Sequence, residues 1–178
     1  MSANDDLPYF PRLQSMVREA MEQDIPVIGH CLGGQIMSLA CGGRVTTAPF
    51  AEIGWSHLAV VHAEGAQWFG LSPELRLFQW HGEAFSLPPG ATPLVTGTYC
   101  PEQAFVMDGK HLGMQFHCEV DAPKIENWLV TDAAEIHQSD SPAVQSASDI
   151  VAHLAQDVSN SQTIARHIYA RWAQGLKL

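Results

Sequence analysis

The stretch "IPVIGHCLGGQIMSLACGG", residues 25–43, constrains the fold more than any other part of the chain. It opens on "IPVIG", a short unbroken apolar run of the kind found in a strand buried on both faces of a parallel sheet. "GGQIMSLACGG" reads as a helix that stops at Gly42-Gly43. Strand and helix are joined by Gly29-His30-Cys31-Leu32-Gly33, of the form G-x-nucleophile-x-G. So sharp a turn leaves no room for neighbouring side chains, which predicts a need for glycine on both flanks. Such a chain must present Cys31 at the C-terminal end of a strand and the N-terminus of a helix.

The remaining pattern supports a sheet with helices. "PRLQSMVREAMEQD" puts Leu13, Met16, Val17, Ala20 and Met21 on one helical face, with acidic residues just before it. Between residues 44 and 116, "SHLAVV", "LRLFQW", "TPLVTG", "QAFVM" and "HLGMQF" are β-prone runs divided by turn residues. "APKIENWLVTDAAEIH" and roughly residues 146–173 are helical again. In the second, Ile150, Leu154, Val158, Ile164, Ile168 and Trp172 share a face. Helix, strand, helix and then mixed strands predict an α/β domain, and 178 residues are enough for one core.

Composition excludes several classes. Charged residues are only 16% of the chain, which argues against disorder. A net charge of −10 without a basic stripe excludes nucleic acid and anionic membrane as expected partners. No apolar run is long enough to span a bilayer, and "MSANDDLPYF" lacks the features of a signal peptide, so a cytoplasmic location is expected. Four cysteines without a CxxC pair read as free thiols in a reducing compartment.

At the elbow, free N–H groups and the positive end of the helix dipole favour thiolate over thiol. The N–H of Leu32 can point at a developing oxyanion. The bland alternative is a buried cysteine in a Gly-rich turn. A nucleophile needs a base, and His117 in "LGMQFHCEV" has the best local setting because it ends an apolar strand. Glu119, two residues on, falls on the same side and can orient the imidazole. Zinc on His30/Cys31 and His117/Cys118 is disfavoured, because adjacent residues rarely converge on one ion. No phosphate-binding glycine loop occurs. No metal or cofactor is expected.

These residues resemble a known family. "PVIGHCLGGQIMSLACGGRV" is similar to the nucleophile segment of class I glutamine amidotransferases, and "GMQFHCEV" to their His–x–Glu segment. "EIGWSHLAVV", "FQWHGEAFSLPPGATPLVTG" and "CPEQAFVMDGKHLGMQFHCEV" look like the stand-alone branch similar to the amidotransferase domain of GMP synthase. The resemblance runs from residue 1 to about 125, with residues 126–178 expected as helices packed on or extending the same domain. It implies a flavodoxin-like three-layer α/β/α fold and hydrolysis of the glutamine amide to glutamate and ammonia through a thioester on Cys31. His117 would act as acid and then base, Glu119 would orient it, and Leu32 would donate to the oxyanion. Gln35 would contact substrate, and Trp80 and His81 would lie near the bound glutamine. The implied partners are a glutamine or γ-glutamyl substrate and a separate ammonia-accepting synthetase. A γ-glutamyl amide or peptide hydrolase and a catalytically impaired binding module are the alternatives.

The chain departs from the family pattern. It carries His30 where an apolar residue is usual, Gly34 where His is usual, and Cys118 in place of a proline. "MSANDDLPYF" resembles the segment immediately after the family's Gly-Gly-Pro loop. The expectation is therefore that two strands, a helix and the other oxyanion donor are absent, leaving "IPVIG" with an exposed edge.

Overall fold

The computed structural model describes residues 2–176; Met1, on which the expected N-terminal alignment bears, lies outside them. The chain begins with α1 (Phe10–Glu22), β1 (Ile28–His30), α2 (Leu32–Ala40) and β2 (Val45–Val60). Next come α3 (Gly65–Phe69), β3 (Glu74–Phe85), β4 (Thr92–Gly97), β5 (Ala104–Met107) and β6 (His111–Met114). It ends with α4 (Ala122–Thr131), α5 (Ala133–His137), α6 (Ala147–Val151) and α7 (Leu154–Gln174). The strands form one six-stranded sheet in the order β1-β6-β5-β4-β2-β3. β1 runs parallel to β6, with His30 opposite Met114. The other ladders are antiparallel.

Alternation along β5 fixes the layering. Phe105 packs with Phe10 of α1 and Ile36 and Met37 of α2. Its neighbours Ala104 and Val106 face the other way, into a cluster with Trp68 and Phe69 of α3 and Ala165 and Ile168 of α7. Helices thus cover both faces, and the α/β expectation holds. Gly113 on β6 lies under the Phe105 ring, where a Cβ would come within 2.4 Å of its carbons. A third cluster joins Ile53, Trp55 and Phe78 to Ile125 of α4, Ile150 of α6, and Leu154 and Val158 of α7.

Several expectations needed adjustment. β2 starts at Val45, well before "SHLAVV", and it stays paired with β3 across a register shift between Thr47 and Glu52. The short α3 had no sequence counterpart. "APKIENWLVTDAAEIH" breaks at Asp132, where Thr131 turns its hydroxyl back onto the Asn127 carbonyl and onto Asp132. The last helix is likewise two, α6 and α7, although Ile150, Leu154, Val158 and Ile168 are buried as its periodicity required. On α1 the predicted apolar face is only partly covered. Phe10 is its buried residue, while Leu13 and Met16 stay exposed. β1 is also less buried than a central strand, because it ends the sheet order and Ile25 just before it is exposed.

Candidate active site

The elbow forms where β1 meets α2. Cys31 has φ +44° and ψ −107°, a conformation an L-residue adopts only where its surroundings enforce it. Gly29 enforces it from one side, since a Cβ there would lie 2.4 Å from the Gly33 carbonyl carbon. Gly33 itself borders open space. The second obligatory glycine is Gly34, whose Cβ would lie 2.5 Å from the carbonyl oxygen of Met114. The flanking requirement read from the sequence therefore holds at Gly29 and shifts by one residue on the other side. The far end of α2 closes as its glycines predict. Gly43 N–H bonds to Ser38 O, Gly42 N–H bonds to Leu39 O, and Gly42 takes φ +87°.

Two chain segments converge on the Cys31 sulfur. Its thiol points to the Trp80 carbonyl at 3.9 Å, and Gln115 Nε2 approaches Sγ at 3.6 Å. His117 lies just past β6, where its N–H bonds to Phe78 O across to β3. The His117 side chain hydrogen-bonds Cys31, and its Nδ1 lies 2.6 Å from Glu119 Oε1. Burial acts to lower the His117 pKa, but the bonds to Cys31 and Glu119 outweigh it and raise the value to about 9. Burial likewise opposes ionisation of Glu119, and the hydrogen bond and charge of His117 reverse this, leaving its carboxyl below the ordinary value. The ring of Trp128 on α4 stands edge-on to His117 at 5.2 Å between centroids.

A cleft of about 240 Å³ opens beside Cys31, lined by Leu32, Gln35, Trp80, His81, Gly82, Glu83 and Glu135. Leu32 is the first residue of α2, so its N–H belongs to the turn that has no helical acceptor. Gln35 Nε2 donates to the Glu83 carbonyl at 3.0 Å. The His81 imidazole is turned into the protein, its Nδ1 3.1 Å from Glu83 O. Its Nε2 lies 3.2 Å from Glu52 Oε2, at an angle that falls short of a hydrogen bond. Trp80 Nε1 donates to Glu135 Oε2 at 2.8 Å, which ties α5 over the cleft.

A profile of the family Glutamine amidotransferase class-I matches residues 7–136. The chain belongs to that family. It is 34% identical over 104 residues to the glutamine-hydrolyzing GMP synthase of Lactobacillus delbrueckii subsp. bulgaricus, an alignment covering 57% of this chain and 20% of that one. It is 36% identical over 112 residues to the enzyme of the same name from Streptomyces avermitilis, covering 62% and 21%. The chain thus spans about a fifth of the length of these curated relatives. Among solved structures, a glutamine amidotransferase from Methylobacillus flagellatus superposes with a TM-score of 0.96 at 42% identity, covering 99% of this chain and 74% of that one. Another from Thermotoga maritima gives 0.85 at 26% identity, covering 98% and 74%.

In this member of the family the expected site residues lie close together. Cys31, Leu32, Gln35, Trp80 and His81 line the cleft, and His117 with Glu119 stands behind the sulfur. The sequence reading missed Gln115, Trp128 and Glu135. Gln115 was within reach, because it lies two residues before His117 on the same strand run and so falls on the same side. Trp128 and Glu135 come from helices whose approach to the cleft no local pattern encodes.

Two groups of ligand-type side chains sit close together. They are His30, Cys118 and Glu119, and Glu52, His81 and Cys100. Burial and Glu119 push the Cys118 thiol well above its ordinary range, and burial and Glu52 raise Cys100 to about 12. Among the described residues no helix is long and apolar enough to cross a membrane.

Proposed function

We propose that the protein hydrolyses the side-chain amide of glutamine through a γ-glutamyl thioester on Cys31. The observation that carries this reading is the Cys31–His117–Glu119 arrangement at the edge of a cleft in a class I amidotransferase. The Cys31 sulfur, its proton passed to His117, attacks the carboxamide carbon as a thiolate, and the carbonyl electrons move onto oxygen, facing the Leu32 N–H. With its pKa raised to about 9, His117 is an imidazolium at neutral pH. It can therefore give its proton to the nitrogen that leaves as ammonia. Now neutral, it takes a proton from water as that water adds to the thioester. Glutamate departs, and the proton returns the pair to its starting state. Glu119 holds the ring orientation through Nδ1.

The cleft supplies complementary ends for an amino acid. Gln35 can reach the carboxamide side, and the Glu83 and Glu135 carboxylates suit the α-ammonium group. The GMP synthase relatives carry "glutamine-hydrolyzing" in their name, which supports release of ammonia to a separate synthetase acceptor. Incubation with glutamine should yield equal amounts of glutamate and ammonia, and Cys31→Ser should abolish both. Good turnover of γ-glutamyl amines with none of glutamine would instead support the γ-glutamyl hydrolase reading.

A further inference from the structure

His30 occupies the position just before the nucleophile, and the proposed mechanism gives it no role. In space it stands on the far side of Glu119 from His117. The carboxylate lies between the two rings, with His117 Nδ1 at 2.6 Å from Oε1 and His30 Nδ1 at 3.1 Å from Oε2. The outer nitrogen of His30, Nε2, lies 2.8 Å from the hydroxyl of Tyr169 on α7, and the two rings meet edge-on at 5.9 Å. The other groups facing His30 are the Phe116 carbonyl, the Cys118 thiol at 4.0 Å from Nδ1, and the charge of His117.

The proton positions are set by these neighbours. Burial, Cys118 and Glu119 push the Tyr169 phenol up to about 12, so it keeps its proton and can donate it to His30 Nε2. Burial lowers the His30 pKa, partly opposed by Glu119, which favours the neutral ring, and its Nδ1 edge packs against the Glu119 carboxylate at an angle that falls short of a hydrogen bond. A brace matters for Glu119 because a third of its side chain is exposed, at 33%, which leaves the carboxylate room to swing away from His117.

We infer that His30 and Tyr169 are positioning residues that hold Glu119 against His117, linking the long C-terminal helix to the catalytic cysteine. The brace predicts a definite sign. If Glu119 is released, His117 loses part of the interaction that raises its pKa, and its midpoint falls. If His30 instead only competes with His117 for the carboxylate, its removal must raise that midpoint.

The test is titration of the 15N-histidine-labelled full chain by NMR, with His30→Leu, His30→Asn and Tyr169→Phe compared against the parent. Tyr169→Phe deletes one oxygen and keeps the ring, so it reports even if His30→Leu folds poorly. The parent should show His30 as a neutral Nδ1–H tautomer. The His117 midpoint should drop by about one pH unit in His30→Leu and by about half a unit in Tyr169→Phe. His30→Asn, which keeps a donor near the Nδ1 position, should restore most of the shift. In parallel, kcat for glutamine should fall about tenfold in His30→Leu with KM unchanged. A midpoint that rises or stays in both His30→Leu and Tyr169→Phe overturns the inference. So does a rise in KM with kcat intact. The inference assumes the Cys31 mechanism proposed above, but the NMR shifts do not require turnover. Falling midpoints in a protein that leaves glutamine untouched would therefore support the brace and refute the glutaminase reading.

Discussion

Replacing Gly34 with alanine is the perturbation whose outcome the site geometry constrains most closely. Gly34 lies in the first turn of α2, where the helix rests on β6. An added Cβ would sit 2.5 Å from Met114 O and 2.9 Å from Met114 N. Both are backbone atoms of the strand that pairs with β1, so neither can swing aside. Ordinary contact begins near 3.4 Å, so α2 must retreat by about 0.9 Å. Alanine gains about 1 kcal/mol of helix propensity, while overpacking costs about 1–3 kcal/mol. A net loss of up to about 2 kcal/mol should lower Tm by up to about 8 °C in a chain of this size. The retreat also carries Cys31 and Gln35 away from Gln115 and His117, and a misplacement of about 1 Å can cost about 100-fold in kcat. Gly33→Ala is the control, because nothing lies within 4 Å of its Cβ. It should match or exceed the parent in Tm and retain turnover. Calorimetry and ammonia release on both variants decide the matter. A tolerated Gly34→Ala beside a damaging Gly33→Ala would refute the reasoning.

The same geometry fixes three further outcomes. Glu119→Gln removes the charge that helps hold His117 near 9, so the His117 midpoint in an NMR titration should move down toward its ordinary value and kcat should fall by about two orders of magnitude. Glu135→Gln keeps an acceptor for Trp80 but removes a carboxylate from the cleft. It should raise KM for glutamine severalfold with little change in kcat, which steady-state kinetics will show. Stability should be greatest between the Glu119 and His117 titrations. His117 is raised on folding, so its contribution is full below its unfolded pKa and is lost as pH rises through about 9. Glu119 is lowered, so its contribution is present above its ordinary value of 4.5 and is lost as pH falls through the folded value. Thermal melts across that range should show both declines, and a Tm still rising past pH 9 would contradict the His117 assignment.

The elbow was legible because its chemistry is local. A short strand, a Gly-flanked cysteine and a helix closed on Gly42-Gly43 are all written within nineteen residues of sequence, and all three appear in place, although the strand is less buried than its apolar run suggested. His117 and Glu119 were legible for a similar reason, since two-residue spacing past a strand fixes their common side. Which glycine is obligatory was not legible, because Gly34 is constrained by Met114, eighty residues away in the chain. The same holds for the antiparallel majority of the sheet, the cover that Glu135 and Trp128 give the site, and the approach of Tyr169 to His30. Each depends on how distant elements dock, and the helical periodicity of α4 and α7 says only that a face is buried, not what it covers. The apolar face of α1 shows the opposite failure, in which a correct period at Leu13 and Met16 overstated burial.

The central claim is that Cys31 carries the γ-glutamyl group, and it can be tested directly. Mixing the protein with glutamine, quenching in acid within the first turnovers and mapping modified peptides by mass spectrometry reads the site of attachment. The account predicts one γ-glutamyl adduct, on the peptide containing Cys31, which disappears in Cys31→Ser together with ammonia release. Ammonia release that persists in Cys31→Ser, or an adduct on Cys41 or another residue instead, would contradict it.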